Sequence, residues 1–420
     1  MRFAFAALAA SHGVATGIVL LATSVGSATA AATLDPSGVV ALLDVMDAIA
    51  ALHPDFGTRM AVLEGASESV RAAACSEARA RNESNALVRD RLDALFETST
   101  YRLYFRRFHN VTAELVREIL LDLPYRTRPS PGGIAETYQH LLSERRMLRA
   151  WVDELVKTID LEVVEAKALR WVPAGAPPIP TVHLIYDSNA GSFTADGKPF
   201  FNLYSERSQA EHPDESTGEN FTAYAEGVMA HEIQHALAKP ILYPKGAKSL
   251  RSWQERWADR LVRGLVSEGV AAHCNPPAGI RARIWEDAEV LQSLVQGLND
   301  ILHAMRSGSA DEADVERWYQ DNFQATAHEL LRRFLARDYS GDELQSRLQR
   351  YASIRPDSEH VLGWWMVSRV SRNGTDREAA LQLLRDPGSL LSRYNHALGE
   401  GETALRVADD IAGWVEETVR

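Results

Sequence analysis

The sequence predicts an α+β protein that is predominantly helical, with one small sheet and one metal-type helix between helical N- and C-terminal regions. Three observations predict it. Most of the chain repeats apolar residues at helical spacing, as in Ile284, Ala288, Leu291, Val295, Leu298 and Leu302. One stretch only, residues 181–204, has strand composition, and it follows the break Pro173–Pro180 (Pro-Ala-Gly-Ala-Pro-Pro-Ile-Pro). Directly after that stretch, a helical pattern carries His231-Glu232-Ile233-Gln234-His235.

The 420 residues are 45% apolar and 24% charged, ample for a buried core in one to three domains. Net charge is 45 − 57 = −12. With no basic run, this speaks against nucleic acid or an anionic membrane surface as partner.

Residues 3–34 carry no formal charge, Arg2 precedes them, Gly17–Val25 is their apolar heart, and Ala28-Thr29-Ala30 is a small-x-small end. Residues 1–30 therefore predict an export signal and a periplasmic or secreted protein, without stable membrane insertion once the signal is removed. Cys75 and Cys274 would allow one disulfide in such a compartment; two buried thiols is the other reading.

Asp35-Pro36 reads as a helix start, and Val39, Leu42, Leu43, Met46 and Ile49 continue at helical spacing. Further helix is expected over about 58–96 and 110–122. After the Pro129–Gly133 breaker, a long helix carries Leu148, Val152, Leu155 and Ile159. Thr181–Tyr186 reads as a strand. Asp196-Gly197 between Ser192–Thr194 and Pro199–Tyr204 is a hairpin signal. An acidic loop follows, from about 206 to 219, and then the motif helix. Another helix is expected over about 252–273. The remainder is helical, with breaks near Ser307, Pro356, Asn373-Gly374 and Pro387-Gly388.

On a helix, residues four apart share a face one turn apart, so His231 and His235 can hold one metal ion while Glu232 stays free to handle a proton. Chance produces such a motif about 0.03 times in a chain of this composition. Catalytic zinc takes a third protein ligand and keeps one open position. Glu268 is the candidate. It lies in an apolar helical stretch, where a carboxylate is costly unless bound to a cation, beside Gly269, which would permit close helix approach. Glu255, Asp259 and His273 are rivals better suited to other roles.

With Ser267-Glu268-Gly269-Val270-Ala271, the chain resembles the gluzincins, zinc metallopeptidases whose third ligand is a downstream Glu. More narrowly, it is similar to little-characterised bacterial zinc-dependent peptidases with a Ser-Glu-Gly-x-Ala element and a later helix like His360-Val361-Leu362-Gly363-Trp364-Trp365-Met366. The resemblance implies a zincin-like core, Zn2+ on His231, His235 and Glu268, and Glu232 as general base. It also makes His360 the leading oxyanion donor, ahead of Tyr243 and Tyr204, and Phe200–Tyr204 the edge strand that aligns an extended peptide. Gluzincins often carry an Asp four residues after the ligand Glu; here that position is Ala272, so the His ligand needs another support.

The expected layout is a signal peptide (1–30), a helical N-terminal region (31–175), a zincin-like catalytic core (176–275) and a helical C-terminal region completing the cleft (276–420). The expected function is an exported zinc metallohydrolase acting on peptides or proteins. The alternative is a catalytically weak, zincin-derived binding or scaffold protein of the cell envelope.

Overall fold

A computed structural model describes residues 31–126, 128–206, 221–244, 252–320, 325–350 and 358–419. The expected export signal and nearly all of the acidic loop lie outside these residues, as does Pro356. Helix makes up 73% of the structure, so the four-stranded mixed sheet is a minor element.

The chain enters through a short strand, β1 (Leu34–Asp35), and eight helices follow. These are α1 (Ser37–Leu52), α2 (Phe56–Glu64), α3 (Glu68–Ser84), α4 (Ala86–Glu97), α5 (Ser99–Arg107), α6 (Ala113–Asp122), α7 (Ile134–Thr158) and α8 (Leu161–Arg170). The stretch expected as helix over 58–96 is thus three helices. Local capping divides it: the Asn85 side chain accepts from Val88 N at 3.1 Å and so starts α4 afresh. Asp35 precedes the N-cap residue Pro36 and accepts from the Ser37 N–H at 2.9 Å, so it does help to start α1. It sits in β1 opposite His183, its carboxylate 3.0 Å from His183 Nδ1.

The sheet is completed by β2 (Val182–Ile185), β3 (Phe193–Ala195) and β4 (Lys198–Asn202), in the order β1-β2-β4-β3. β1 and β4 flank β2 in parallel, and β3 pairs antiparallel with β4. The hairpin turn is where the sequence put it: Asp196 and Gly197 take φ of +49° and +70°, as a two-residue turn matching strand twist requires. The edge strand is a correction. Phe200–Asn202 are buried between β2 and β3, so among the described strands the edge on this side of the sheet is β3 and not the Phe200–Tyr204 segment.

The motif helix α9 (Phe221–Leu242) is buried over most of its circumference, with Val228, Ile233 and Leu237 in the core as their pattern predicts. It lies against β3, β4 and α8. α10 (Trp253–Ala271) opens with a full capping box between Ser252 and Glu255. The C-terminal helices are α11 (Gly279–Trp285), α12 (Ala288–Ser307), α13 (Glu312–Trp318), α14 (Ala325–Leu335), α15 (Gly341–Arg350), α16 (Ser358–Val370), α17 (Arg377–Arg385), α18 (Leu390–Ala397) and α19 (Asp409–Thr418).

α10 and α16 cross at two glycines. A Cβ on Gly269 would stand 2.6 Å from Val367 Cγ2 and closer still to the Gly363 carbonyl oxygen; a Cβ on Gly363 would strike the Leu265 carbonyl. The backbones touch because neither residue has a side chain. This is the close approach that Gly269 suggested. The cysteines do not pair. Cys75 lies beside a small satellite cluster of Leu63, Ala74, Ala78 and Tyr125, whereas Cys274 is buried in the main core.

Candidate metal centre

Four helical side chains meet above the sheet edge. His231 and His235 come from α9, Glu268 from α10 and His360 from the first turn of α16. The Nε2 atoms of His231 and His235 are 2.9 Å apart, and Glu268 Oε2 lies 3.3 Å and 3.1 Å from them. Three ligands around a tetrahedral zinc ion at about 2.1 Å would stand about 3.4 Å apart, so the two imidazoles and the carboxylate fit one such ion. His231, His235 and Glu268 are the group of potential ligand atoms that converges in this way among the described residues.

The glycine crossing explains how α16 reaches this point. His360 Nε2 is 2.9 Å from Glu268 Oε2, and its ring stacks on His231 with centroids 5.5 Å apart and planes within 5°. Trp285 of α11 meets the His360 ring edge-on, with centroids 6.5 Å apart.

Charge follows burial and contact. Burial pushes His231 down to about 4, which keeps its imidazole neutral and able to ligate. Burial also opposes the charge on Glu268, but His235 and His360 overcome it and hold the carboxyl well below the usual range. Burial pushes Glu232 up to about 7; His235 opposes that shift and Glu268 reinforces it.

Two supporting contacts were not assigned from sequence. Ser267 Oγ lies 2.9 Å from His235 Nδ1, which leaves Nε2 facing the other ligands. It gives His235 a support that Ala272 has no polar group to provide. Thr194 Oγ1, on β3, lies 2.9 Å from Glu232 Oε2 and 2.8 Å from the Glu232 carbonyl oxygen, and so ties the motif helix to the sheet edge. Ser267 was legible as a hydroxyl next to the third ligand. Thr194 had no sequence signal, because its partner is 38 residues away.

The rivals are occupied elsewhere. Glu255 belongs to the capping box, Asp259 pairs with Arg263 at 2.8 Å, and His273 stacks on Trp171 at 4.6 Å. Tyr204 packs edge-on against Tyr186 and does not line the cleft. Tyr243 does line it. Trp365 donates to Tyr394 Oη at 3.2 Å and Trp364 packs on Trp285, so the tryptophan pair is structural.

The centre opens into a cleft of about 410 Å3, walled by Ser192, Phe193 and Thr194 of the hairpin, with Arg107, Lys239, Tyr243 and Ser267 around the histidines and glutamates. A buried neutral imidazole at His231, a second imidazole at His235 that, against burial, Glu268 and Glu232 pull toward its charged form, a carboxylate held ionised and a second carboxylate facing the same cleft form a set suited to metal-assisted hydrolysis.

A family model described as "Putative zinc dependent peptidase (DUF5700)" matches residues 92–400. The chain belongs to this family. The matched span includes β2–β4, α9, α10 and α16, and hence every residue of the centre. Neither the curated proteins nor the solved structures yield a match. None of the described helices is long and apolar enough to cross a membrane.

Proposed function

We propose that the chain is a peptidase of the gluzincin type, with a zincin-like core in which His231, His235 and Glu268 hold one Zn2+ and Glu232 is the general base. The observation that carries the reading is the convergence of those three donors beside a buried, tethered Glu232 in an open cleft. The bound ion supplies Lewis acidity toward the scissile carbonyl and toward water.

The chain's own residues do the rest. Glu232 accepts a proton from the attacking water and returns it to the leaving amine. Thr194 keeps that carboxylate from turning away. Ser267 fixes the tautomer of His235. His360 lines the cleft, and its Nε2–H, which rests 2.9 Å from Glu268 Oε2, would turn to donate a hydrogen bond to the developing oxyanion. The outer edge of β3 offers backbone groups to an extended peptide, which makes Phe193–Ala195 the aligning strand. The N-terminal signal pattern supports action outside the cytoplasm on peptide or protein substrates.

The test compares the unaltered chain with Glu232→Gln on a peptide library, with zinc content measured in parallel. The expected result is about one zinc per chain in both and cleavage only in the first. Equal turnover by Glu232→Gln would remove Glu232 from its role. No cleavage by either would favour a zinc-binding scaffold.

A further inference from the structure

We propose that the cleft contains an anion subsite, formed by Arg107 and Lys239, that receives a carboxylate of the substrate. This rests on the peptidase reading and specifies its substrate class. Both side chains line the cleft that holds the metal centre. Lys239 lies four residues beyond His235 on α9, on nearly the same face and about 6 Å further along the axis. Arg107 ends α5 on the hairpin side: its guanidinium lies over the Phe108 ring at 5.4 Å, and that ring meets Phe193 of β3 at 5.2 Å. One cation therefore comes from the helix floor and the other from beside the strand edge.

Neither cation has an ion-pair partner among the described residues. Their context makes that informative. The adjacent Arg106 approaches Asp196 at 4.0 Å, so a carboxylate is available locally and Arg107 does not take it. The carboxylates facing the same cleft are committed: Glu232 to Thr194, and Glu268 to His231, His235 and His360. The net charge of −12 makes unpaired cations in one cleft a local exception to the chain's character. A residue flanking the scissile bond lies one Cα step, about 3.8 Å, from its neighbour, so a carboxylate on it falls within reach of a lysine one turn from the metal ligands. A guanidinium and an ammonium in an open cleft select for that charge. The carboxylate could be an acidic side chain or a free C-terminus, and the two are separable.

The experiment uses the zinc-loaded full chain carrying Glu232→Gln, and measures binding of labelled peptides by fluorescence anisotropy. One peptide pair differs by Glu against Gln beside the cleavage position; a second differs by a free against an amidated C-terminus. One pair is expected to show about tenfold tighter binding of the acid, declining with salt, and that pair names the carboxylate source. In the Arg107→Gln/Lys239→Gln background the acid-to-amide ratio falls to about one. Both side chains are exposed, and zinc content and melting temperature check the fold; the single variants serve if the double variant is unstable, each lowering the ratio. Ratios near one for both pairs in the parent, or a preference that survives both substitutions, overturn the subsite. Cleavage of the amide peptides with Glu232 intact tests the peptidase reading separately, so a tenfold binding preference without any cleavage would refute that reading and keep the subsite.

Discussion

Gly269→Ala probes the contact that brings Glu268 and His360 together. The added Cβ would lie 2.5 Å from the Gly363 carbonyl carbon and 2.6 Å from Val367 Cγ2, against roughly 3.5 Å for relaxed carbon contacts. The two helices must separate by about 1 Å. Overpacking of this kind costs about 1–3 kcal/mol. At roughly 2.1 cal/mol/K per residue, unfolding a chain of this size carries an entropy near 0.9 kcal/mol/K, so a 2 kcal/mol loss lowers the melting temperature by only about 2 °C. The metal centre is the more sensitive reporter. Ligand positions tolerate shifts of about 0.2 Å, and Glu268 adjoins the substituted residue. Zinc affinity, measured by competition with a chromogenic chelator, should fall at least about tenfold. If Gly269→Ala melts with the wild type and binds zinc equally well, the close approach of the helices does not depend on that glycine, and the account of how α10 and α16 build the site is refuted.

Three further outcomes follow from named contacts. Ser267→Ala removes the hydroxyl beside His235 Nδ1 and should weaken zinc binding about 10–100-fold, with Ser267→Thr recovering most of it in the same chelator assay. Thr194→Val should leave zinc content intact but lower kcat about tenfold or more, because Glu232 loses its tether; Thr194→Ser should restore the rate. Asp35 is held well below the usual carboxylate range, chiefly by His183 and then by Ser37 and Ser99. Its contribution is therefore present above the unfolded-chain value of about 3.9 and lost as pH falls below it. Urea midpoints of metal-free protein should drop across that window, and Asp35→Asn should flatten the slope.

What the sequence determined by itself was everything set by local geometry. Four-residue spacing on a 3.6-residue helix puts His231 and His235 side by side in any fold that keeps the helix. Asp196-Gly197 enforces a tight turn because both positions adopt positive φ. A carboxylate and a glycine adjacent in an apolar helix, Glu268-Gly269, already implied a charge partner and a close neighbour. The i, i+4 row His231, His235, Lys239, Tyr243 is also legible in the sequence, and Lys239 is the member of it to which no motif assigns a role. Tertiary structure alone decided the remainder. The neighbour that Gly269 awaited is Gly363, 94 positions later. The edge on this side of the sheet passed to β3 because β2 claims the other side of β4. Asp35 serves the sheet as well as the start of α1 because a second partner, His183, lies 148 residues away. Thr194 reached Glu232, and Arg107 reached the cleft, through pairings that no local pattern encodes. Such contacts depend on which surfaces the buried core brings together, and helix spacing and turn chemistry fix each segment's shape without fixing its neighbours.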